Sequence, residues 1–188
     1  MDPSFLIDLK RDGLLREGHF AYHSGRHGAV LLDRDRLLSD PLAAGHMGYA
    51  LAKRFFVDNV ETVAAPSIWG AGLAQWVAHF LDPKAKIVYA TPTHAGPSIA
   101  ANLADLIRGR RVLLVDNLIV SGETMGRFAP LVAGLGADIV GLATLWNTAE
   151  PEIAGRPVFG LLNTVYEAYP AAACPLCAAG DAPTPADS

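Results

Sequence analysis

The chain has 188 residues, of which 51% are hydrophobic and 18% charged, a balance that allows one globular domain with a substantial buried core. Its formal net charge of −4 argues against the basic surface that nucleic-acid-binding proteins usually carry. No apolar run reaches the roughly 18 residues of a membrane span, the start of the chain lacks a signal-peptide pattern, and two cysteines are too few for a disulfide framework. We therefore expect a cytoplasmic protein that binds neither nucleic acid nor membranes.

The first forty residues predict a helix followed by a pair of strands. The apolar spacing of residues 4–15 is helical, and Gly13 offers a stop. Two short strands at residues 18–22 and 29–32 are then joined by the turn Ser24-Gly25-Arg26-His27. Asp40-Pro41 predicts the start of the next helix, because an N-cap acid followed by proline suits a first helical turn.

From residue 60 onwards, apolar strands alternate with amphipathic helices. The predicted helix over residues 123–135 is expected to turn Met125, Phe128 and Val132 towards the core. This alternation predicts an α/β fold with a parallel sheet that is covered on both faces. We expect a single domain over residues 1–177 and a disordered, proline-rich tail over residues 178–188. The predicted strands are residues 60–65, 87–90, 111–116, 139–145 and 158–162, and the predicted helices are residues 70–81 and 123–135.

The segment most informative about chemistry spans residues 111–125. A buried strand ends in Asp116 and Asn117, a short loop follows, and a helix begins at Glu123. Ligands of open α/β sheets bind at the carboxyl ends of the strands, and a helix N-terminus suits a phosphate. An acid at the strand end can hold ribose hydroxyls, so this arrangement suits a ribose 5-phosphate. The alternative is an ordinary strand–turn–helix in which Thr124 caps the helix.

Motifs spread over most of the chain follow one order. They are Gly13-Leu14-Leu15-Arg16-Glu17-Gly18-His19-Phe20 with the turn at residues 24–27, then Ser39-Asp40-Pro41, then residues 65–72, then residues 111–125, and finally Tyr169-Pro170 with Cys174-Pro175-Leu176-Cys177. In this order they resemble the hood, the next helix start, the pyrophosphate loop, the motif for 5-phosphoribosyl 1-pyrophosphate (PRPP) and the tail of type I phosphoribosyltransferases of the orotate branch. The resemblance implies a Rossmann-like type I phosphoribosyltransferase fold, with a central parallel sheet flanked by helices and a small hood from about residues 1–38.

The resemblance also implies a reaction and a set of residues. The enzyme would transfer a phosphoribosyl group between PRPP and a nitrogen base, orotate or another heterocycle, with release of pyrophosphate. It would use Mg2+ bound mainly through PRPP, and would form a homodimer. Asp116 and Asn117 would be the catalytic pair. The positions carried over are Asp116, Asn117, Val120, Ser121, Gly122, Glu123 and Thr124 for PRPP, Ser67, Ile68, Trp69 and Gly70 for pyrophosphate, and His23, Ser24, Gly25, Arg26 and Asn147 for the base and hood.

Within the PRPP motif, three positions depart from the family pattern. Asn117 stands where the motif has its second acid, and it brings no negative charge to a cationic sugar. Val120 replaces the usual hydroxyl residue. Glu123 enters the phosphate loop, and we interpret it as a first-turn residue that stabilises the helix N-terminus.

Two further departures concern cations. Residues 90–107 match the mobile basic loop of the orotate branch, yet they contain no Lys or Arg, so His94 is the sole candidate cation. Leu145-Trp146-Asn147-Thr148 stands where the branch has Asp-Arg, whose Arg reads the carboxylate of orotate. We interpret Trp146 as packing rather than as a stacking platform for the base. The loop without basic residues and Asn117 motivate an alternative function, a non-catalytic regulatory protein that binds PRPP or a nucleotide.

Cys174-x-x-Cys177 is the remaining motif. One such pair supplies two of the four ligands of a structural zinc ion. A second pair from a dimer partner and a disulfide are both alternatives, and no metal ligand is assigned. We interpret His19 and His27 as ordinary surface or hydrogen-bonded residues.

Overall fold

The structure is a computed structural model that describes residue Lys10 and residues 13–22, 25–94, 96–148, 152–163 and 167–186. It divides into two compact units. The larger unit spans residues 41–164, and the smaller unit combines the described residues before 41 with those after 164. Among the described residues, no helix is both long and apolar enough to cross a membrane.

The described elements alternate strands with helices through most of the chain, and three short 3-10 helices, at Lys53–Phe55, Ala101–Leu106 and Ala171–Ala173, lie between them. In chain order the elements are β1 (Leu15–Ala21), β2 (Arg26–Leu32), α1 (Arg34–Ser39), α2 (Pro41–Ala52), β3 (Thr62–Ala65), α3 (Ile68–Leu81), β4 (Lys86–Tyr89), β5 (Thr91–Thr93), β6 (Gly96–Ser98), β7 (Arg111–Ile119), α4 (Glu123–Gly134), β8 (Asp138–Asn147), β9 (Glu152–Ile153), β10 (Arg156–Asn163), β11 (Ala168–Pro170), α5 (Pro175–Ala178) and β12 (Thr184–Pro185).

A six-stranded sheet in the order β4-β3-β7-β8-β10-β9 forms the centre of the larger unit. The neighbours from β4 to β10 pair in parallel, while β9 pairs antiparallel with β10. The middle strand, β7, is buried from Val112 to Val115, as expected of a parallel strand covered on both faces. The predicted α/β fold with a parallel sheet is therefore confirmed.

Helices cover the two faces of this sheet. Val112 and Leu114 of β7 share one core cluster with Met125, Phe128 and Val132 of α4, the three residues predicted to face inwards. Successive side chains of a strand point to opposite faces, so Leu113 lies on the other side, where α3 packs against β3, β4 and β7. The start of α3 and the start of α4 both follow the carboxyl ends of central strands.

The strand that carries the chemistry is longer than predicted. β7 continues past Asp116 to Ile119, because Leu118 and Ile119 remain paired with Trp146 and Asn147 of β8. Asp116 and Asn117 are thus followed by two further strand residues and do not lie at the end of the strand. The predicted basic-loop region also contains the hairpin β5–β6, which the sequence did not predict.

In the smaller unit, four strands form a sheet in the order β11-β2-β1-β12. β1 and β2 pair antiparallel, as predicted for the hairpin, and β11 and β12 come from the far end of the chain. Residues 178–188 were predicted to be disordered, whereas the structure pairs Thr184 with Phe20 of β1. The single domain over residues 1–177 and the hood limit at residue 38 stay predictions, and most of the predicted helix over residues 4–15 lies outside the described residues.

Candidate active site

Asp116 and Asn117 connect β7 to the start of α3. The backbone N–H of Asn117 donates to Oδ1 of Asp116 over 2.8 Å, and Nδ2 of Asn117 donates to the carbonyl of Trp69 over 2.9 Å. Asn117 is only 1% exposed, and its Oδ1 has no hydrogen-bond partner among the described residues. The amide therefore joins the predicted PRPP motif to the predicted pyrophosphate loop.

The loop between β7 and α4 turns back through Gly122, which has a left-handed φ of 76°. Such a conformation favours glycine, because other residues meet steric strain there. Oγ of Ser121 accepts from the backbone N–H of Glu123 over 3.3 Å. A cavity of about 130 Å³ opens here, lined by Asp116 and residues 118–125. Unpaired N–H groups and the positive end of the helix dipole make such a helix start attractive to a phosphate.

Glu123 does not place a lone carboxylate in this loop. Its Oε1 accepts from Nη2 of Arg127 over 2.7 Å, one turn further along α4. The pair is solvent-exposed, so it adds little stability. The contact directs the carboxylate along the helix surface, in agreement with the first-turn role that the sequence favours for Glu123.

The predicted pyrophosphate loop lies at the start of α3. Oγ of Ser67 caps this helix by accepting from the backbone N–H of Gly70 over 3.3 Å. The side chains of Ile68 and Trp69 are 56% and 52% exposed. Because both side chains are largely apolar, the polar groups that this part of the loop can offer a ligand are mainly those of the backbone.

Gly70 allows the helix start to approach Asp116 closely. A Cβ at this position would lie 3.1 Å from Cβ of Ala65 and 3.3 Å from Oδ1 of Asp116. Any residue with a Cβ at position 70 would therefore require the Asp116 carboxylate to shift. The two loops and Asp116 consequently form one continuous patch at the carboxyl edge of the sheet.

Substitution of Gly70 by alanine is expected to lower the free energy of unfolding by about 1–3 kcal/mol, the usual range for overpacking. The displaced Asp116 carboxylate should also weaken PRPP binding, as measured by calorimetric titration. Gly134→Ala is the matched control, because nothing lies within 4 Å of a Cβ there. That control should be neutral or stabilising by at most about 1 kcal/mol. Equal behaviour of the two variants would contradict the close approach at Gly70.

The residues predicted for the base and hood are distributed over both units. Nε of Arg26 donates to the carbonyl of Ala168 over 2.9 Å, so this guanidinium supports the pairing of β2 with β11. Gly25 has a positive φ of 74° in the turn before β2. His23 and Ser24 lie outside the described residues. Asn147 is 4% exposed at the last position of β8, opposite Ile119 in the register.

Trp146 is 3% exposed, as expected of a packing residue. Thr148, which was not predicted as a site residue, holds the loop between β7 and α4 in place. Its backbone N–H donates to the carbonyl of Ile119 over 2.8 Å, and its hydroxyl donates to the carbonyl of Val120 over 3.2 Å. In the sequence, the stretch Leu145-Trp146-Asn147-Thr148 indicates contacts with the base but carries no signal for this support of the loop.

Known proteins with the same architecture now give the family. The sequence profile of the phosphoribosyl transferase domain matches residues 49–160 of this chain. The orotate phosphoribosyltransferase of Thermus thermophilus is 33% identical over 172 residues, which cover 91% of this chain and 93% of the relative. That of Sulfurimonas denitrificans is 30% identical over 192 residues, which cover 93% of this chain and 92% of the relative.

Two solved structures agree with this fold. The orotate phosphoribosyltransferase of Mycobacterium tuberculosis superposes with a TM-score of 0.63 at 18% identity, covering 86% of this chain and 96% of that one. A phosphoribosyltransferase from Corynebacterium diphtheriae gives a TM-score of 0.65 at 18% identity, with 85% and 94% covered.

The chain therefore belongs to the phosphoribosyl transferase family. It is an enzyme of PRPP-dependent phosphoribosyl transfer to a nitrogen base, and its type I fold and orotate-like sequence are those expected from the motifs.

Proposed function

We propose that this enzyme transfers the phosphoribosyl group of PRPP to orotate, and that the carboxyl edge of the sheet at β7 holds PRPP. The observation that carries the proposal is the junction of two loops. Asn117 of the PRPP motif donates to Trp69 of the pyrophosphate loop, and Asp116 lies beside the start of α3. Orotate is proposed because the curated relatives that match almost the whole chain are orotate phosphoribosyltransferases.

Each part of PRPP has a matching part of this edge. The 5-phosphate would accept from the backbone N–H groups at the start of α4 and from the hydroxyls of Ser121 and Thr124. The Asp116 carboxylate would accept from the ribose hydroxyls. The backbone from Ser67 to Gly70 would donate to pyrophosphate at the start of α3.

The reaction then needs charge stabilisation more than acid–base chemistry. The bond between the anomeric carbon and pyrophosphate breaks, pyrophosphate leaves with the bonding electrons, and a ring nitrogen of the base forms the new bond. Positive charge develops on the sugar ring, as in glycoside hydrolysis. The Asp116 carboxylate beside the ribose would stabilise this charge, and the amides of the α3 start would stabilise the departing anion.

The donor set of the site fits Mg2+ that is held mainly by its ligand. Asp116 and Glu123 are the carboxylates that line the cavity, Glu123 pairs with Arg127, and the other side-chain oxygens are the hydroxyls of Ser121 and Thr124. Mg2+ prefers oxygen ligands, keeps several waters and is usually bound through one or two carboxylates together with phosphates. Bound with PRPP near Asp116, it would neutralise charge on the pyrophosphate group.

The proposed substrate is tested by following pyrophosphate and the nucleoside 5′-monophosphate of the base after PRPP, Mg2+ and one base are mixed with the enzyme. We expect both products with orotate, and less with uracil or hypoxanthine. Turnover with another heterocycle but not with orotate would overturn the choice of base while leaving the transferase intact. The expected homodimer and the cytoplasmic location stay predictions, and light scattering of the purified enzyme tests the dimer.

A further inference from the structure

Four potential metal ligands meet in the smaller unit. They are Nε2 of His19, Nδ1 of His27 and the Sγ atoms of Cys174 and Cys177, and all lie within 4.8 Å of one another. His19 and Cys174 are 7% and 2% exposed, so half of the set is buried. Both cysteines are free thiols in the structure.

The spacing of these atoms matches a tetrahedral ion. With Zn–N near 2.0–2.1 Å and Zn–S near 2.3 Å, ligand atoms of a tetrahedral zinc site are about 3.3–3.8 Å apart. Nε2 of His19 lies 3.1 Å from Nδ1 of His27, 3.4 Å from Sγ of Cys174 and 3.7 Å from Sγ of Cys177. Nδ1 of His27 lies 3.2 Å from Sγ of Cys177. These four distances lie within a few tenths of an ångström of the tetrahedral values, and the remaining pairs, at most 4.8 Å apart, would close by up to about 1 Å around the ion.

The fold turns both histidines towards the cysteines. The register of β1 against β2 shifts between Glu17 and Phe20, and such a bulge re-aims side chains. His19 and Phe20 are consequently both buried although they are consecutive in the strand. Ala21 pairs with His27 in β2, which brings the second imidazole close to the first. Cys174 directly precedes α5, and Cys177 lies within it, so one turn supplies both thiols.

A hydrogen bond outside the cluster prepares His19 as a ligand. Nδ1 of His19 lies 2.9 Å from the carbonyl of Asp181, which can only accept, so Nδ1 carries the proton. In the neutral ring, Nε2 then presents its lone pair to the two thiols. Metal-bound histidines usually have a backbone carbonyl or a carboxylate in this position, because it fixes the tautomer and the ring orientation.

We propose that His19, His27, Cys174 and Cys177 bind one Zn2+ ion in a structural site. Two nitrogen and two sulfur ligands in a tetrahedron are typical of zinc. Four protein ligands leave no open position for a substrate, so the site is closed and stabilises the fold rather than taking part in the transfer. The ion joins β1 and β2 to the carboxyl-terminal α5, and small units with a limited core often depend on such a staple.

The test uses the full-length enzyme, with its metal content measured after growth and purification without chelators. We expect one zinc ion per chain by elemental mass spectrometry. After removal of zinc by a chelator, the melting temperature should fall, and Zn2+ but not Mg2+ should restore it. Co2+ added to the metal-free protein should give the intense visible bands of tetrahedral coordination together with thiolate-to-cobalt charge transfer, which reports the ligand set of the unmodified protein.

Variants assign the ligands. Loss of a residue that only hydrogen-bonds to a metal ligand weakens metal binding by roughly 10- to 100-fold. Cys177→Ser and His27→Gln each remove a ligand itself, so each should weaken Zn2+ binding by more than this. His46→Gln, at an exposed histidine of the larger unit, is the matched control and should keep one zinc ion per chain. Should a variant fail to fold, the cobalt spectrum of the unmodified protein still decides. Three results would each overturn the proposal. They are zinc-free protein that gives no thiolate–cobalt band, a disulfide between the two cysteines, and stoichiometric iron in the purified protein.

Discussion

Asp116→Asn is expected to lower kcat/KM for PRPP by about 10²- to 10³-fold, the loss typical when one preorganised charge-stabilising group is removed. The carboxylate lies beside the start of α3, and its Oδ1 accepts from the backbone N–H of Asn117. Asparagine has nearly the same shape, so the variant should fold, but it cannot supply negative charge to the ribose as the cation develops. Initial rates of pyrophosphate release, measured over a range of PRPP concentrations, give the result.

Asp138→Asn is the matched control for this variant. Asp138 begins β8, at the opposite edge of the sheet, and its exposed carboxylate pairs with Arg111 over 2.9 Å. Exposed ion pairs are worth at most about 1 kcal/mol, so the control should keep its rate and most of its stability. If Asp116→Asn turned over at the wild-type rate, Asp116 would not be the group that stabilises the sugar.

Asn117→Asp, which introduces an acid at the second motif position, is expected to lower the free energy of unfolding by about 2–4 kcal/mol at pH 8. Asn117 is 1% exposed and donates to the carbonyl of Trp69. A carboxylate cannot donate, so a buried charge would face a carbonyl oxygen. Urea unfolding followed by circular dichroism measures the loss.

The sign of the pH dependence follows from burial. Desolvation would raise the pKa of the new carboxyl in the folded state above the unfolded value of about 3.9. The folded protein then binds more protons than the unfolded chain, so the stability of the variant should fall as pH rises from about 4 through the raised pKa. Near pH 4 the protonated acid can donate to Trp69, and most of the loss should disappear.

Asn163→Asp provides the matched control for this second substitution. Nδ2 of Asn163 also donates to a backbone carbonyl, that of Gly160 over 2.8 Å, but the residue is exposed. Its substitution should change the stability by about 0.5 kcal/mol or less, as is usual for surface positions. A stable Asn117→Asp variant with raised turnover would mean that the carboxylate turns towards the ribose, and that the position is a lost catalytic acid.

The central sheet could be predicted because its signals are local. The apolar run at Val112–Val115 is typical of a strand buried on both faces, and the spacing of Met125, Phe128 and Val132 is typical of one helix face. The residues that suit the next loop to a phosphate are also close to one another in the sequence. Gly122, two hydroxyl residues and an acid stand within nine residues of one another, so family resemblance and physical reasoning both pointed to phosphate binding.

Features that depend on long-range pairing could not be predicted. Asp116 and Asn117 look like the end of a strand, but β7 runs on because β8 supplies partners for Leu118 and Ile119. Pro92 and Pro97 removed the signal of the hairpin β5–β6, since proline is a poor strand residue. The strand β12 exists through its pairing with β1, a partner more than 160 residues away.

The proposed zinc site shows the same limit at the level of side chains. The spacing of Cys174 and Cys177 pointed to half of a metal site. The two histidines of the site could not be predicted. His19 turns inwards because of the bulge in β1, and the residues that it contacts depend on the pairing of the two ends of the chain. The hydrogen bond from Asn117 to Trp69 is hidden in sequence for the same reason, since it joins residues 48 positions apart.

The proposed PRPP site at the carboxyl edge of β7 is tested most directly by a calorimetric titration of PRPP into the purified enzyme, with and without Mg2+. We predict binding that requires Mg2+, with one site per chain, and weaker binding in the Asp116→Asn variant. Binding of PRPP without turnover of any base would support the non-catalytic alternative suggested by the absence of Lys and Arg from residues 90–107. No binding at millimolar PRPP, the upper end of usual KM values, would contradict the assignment of the β7 edge as the PRPP site.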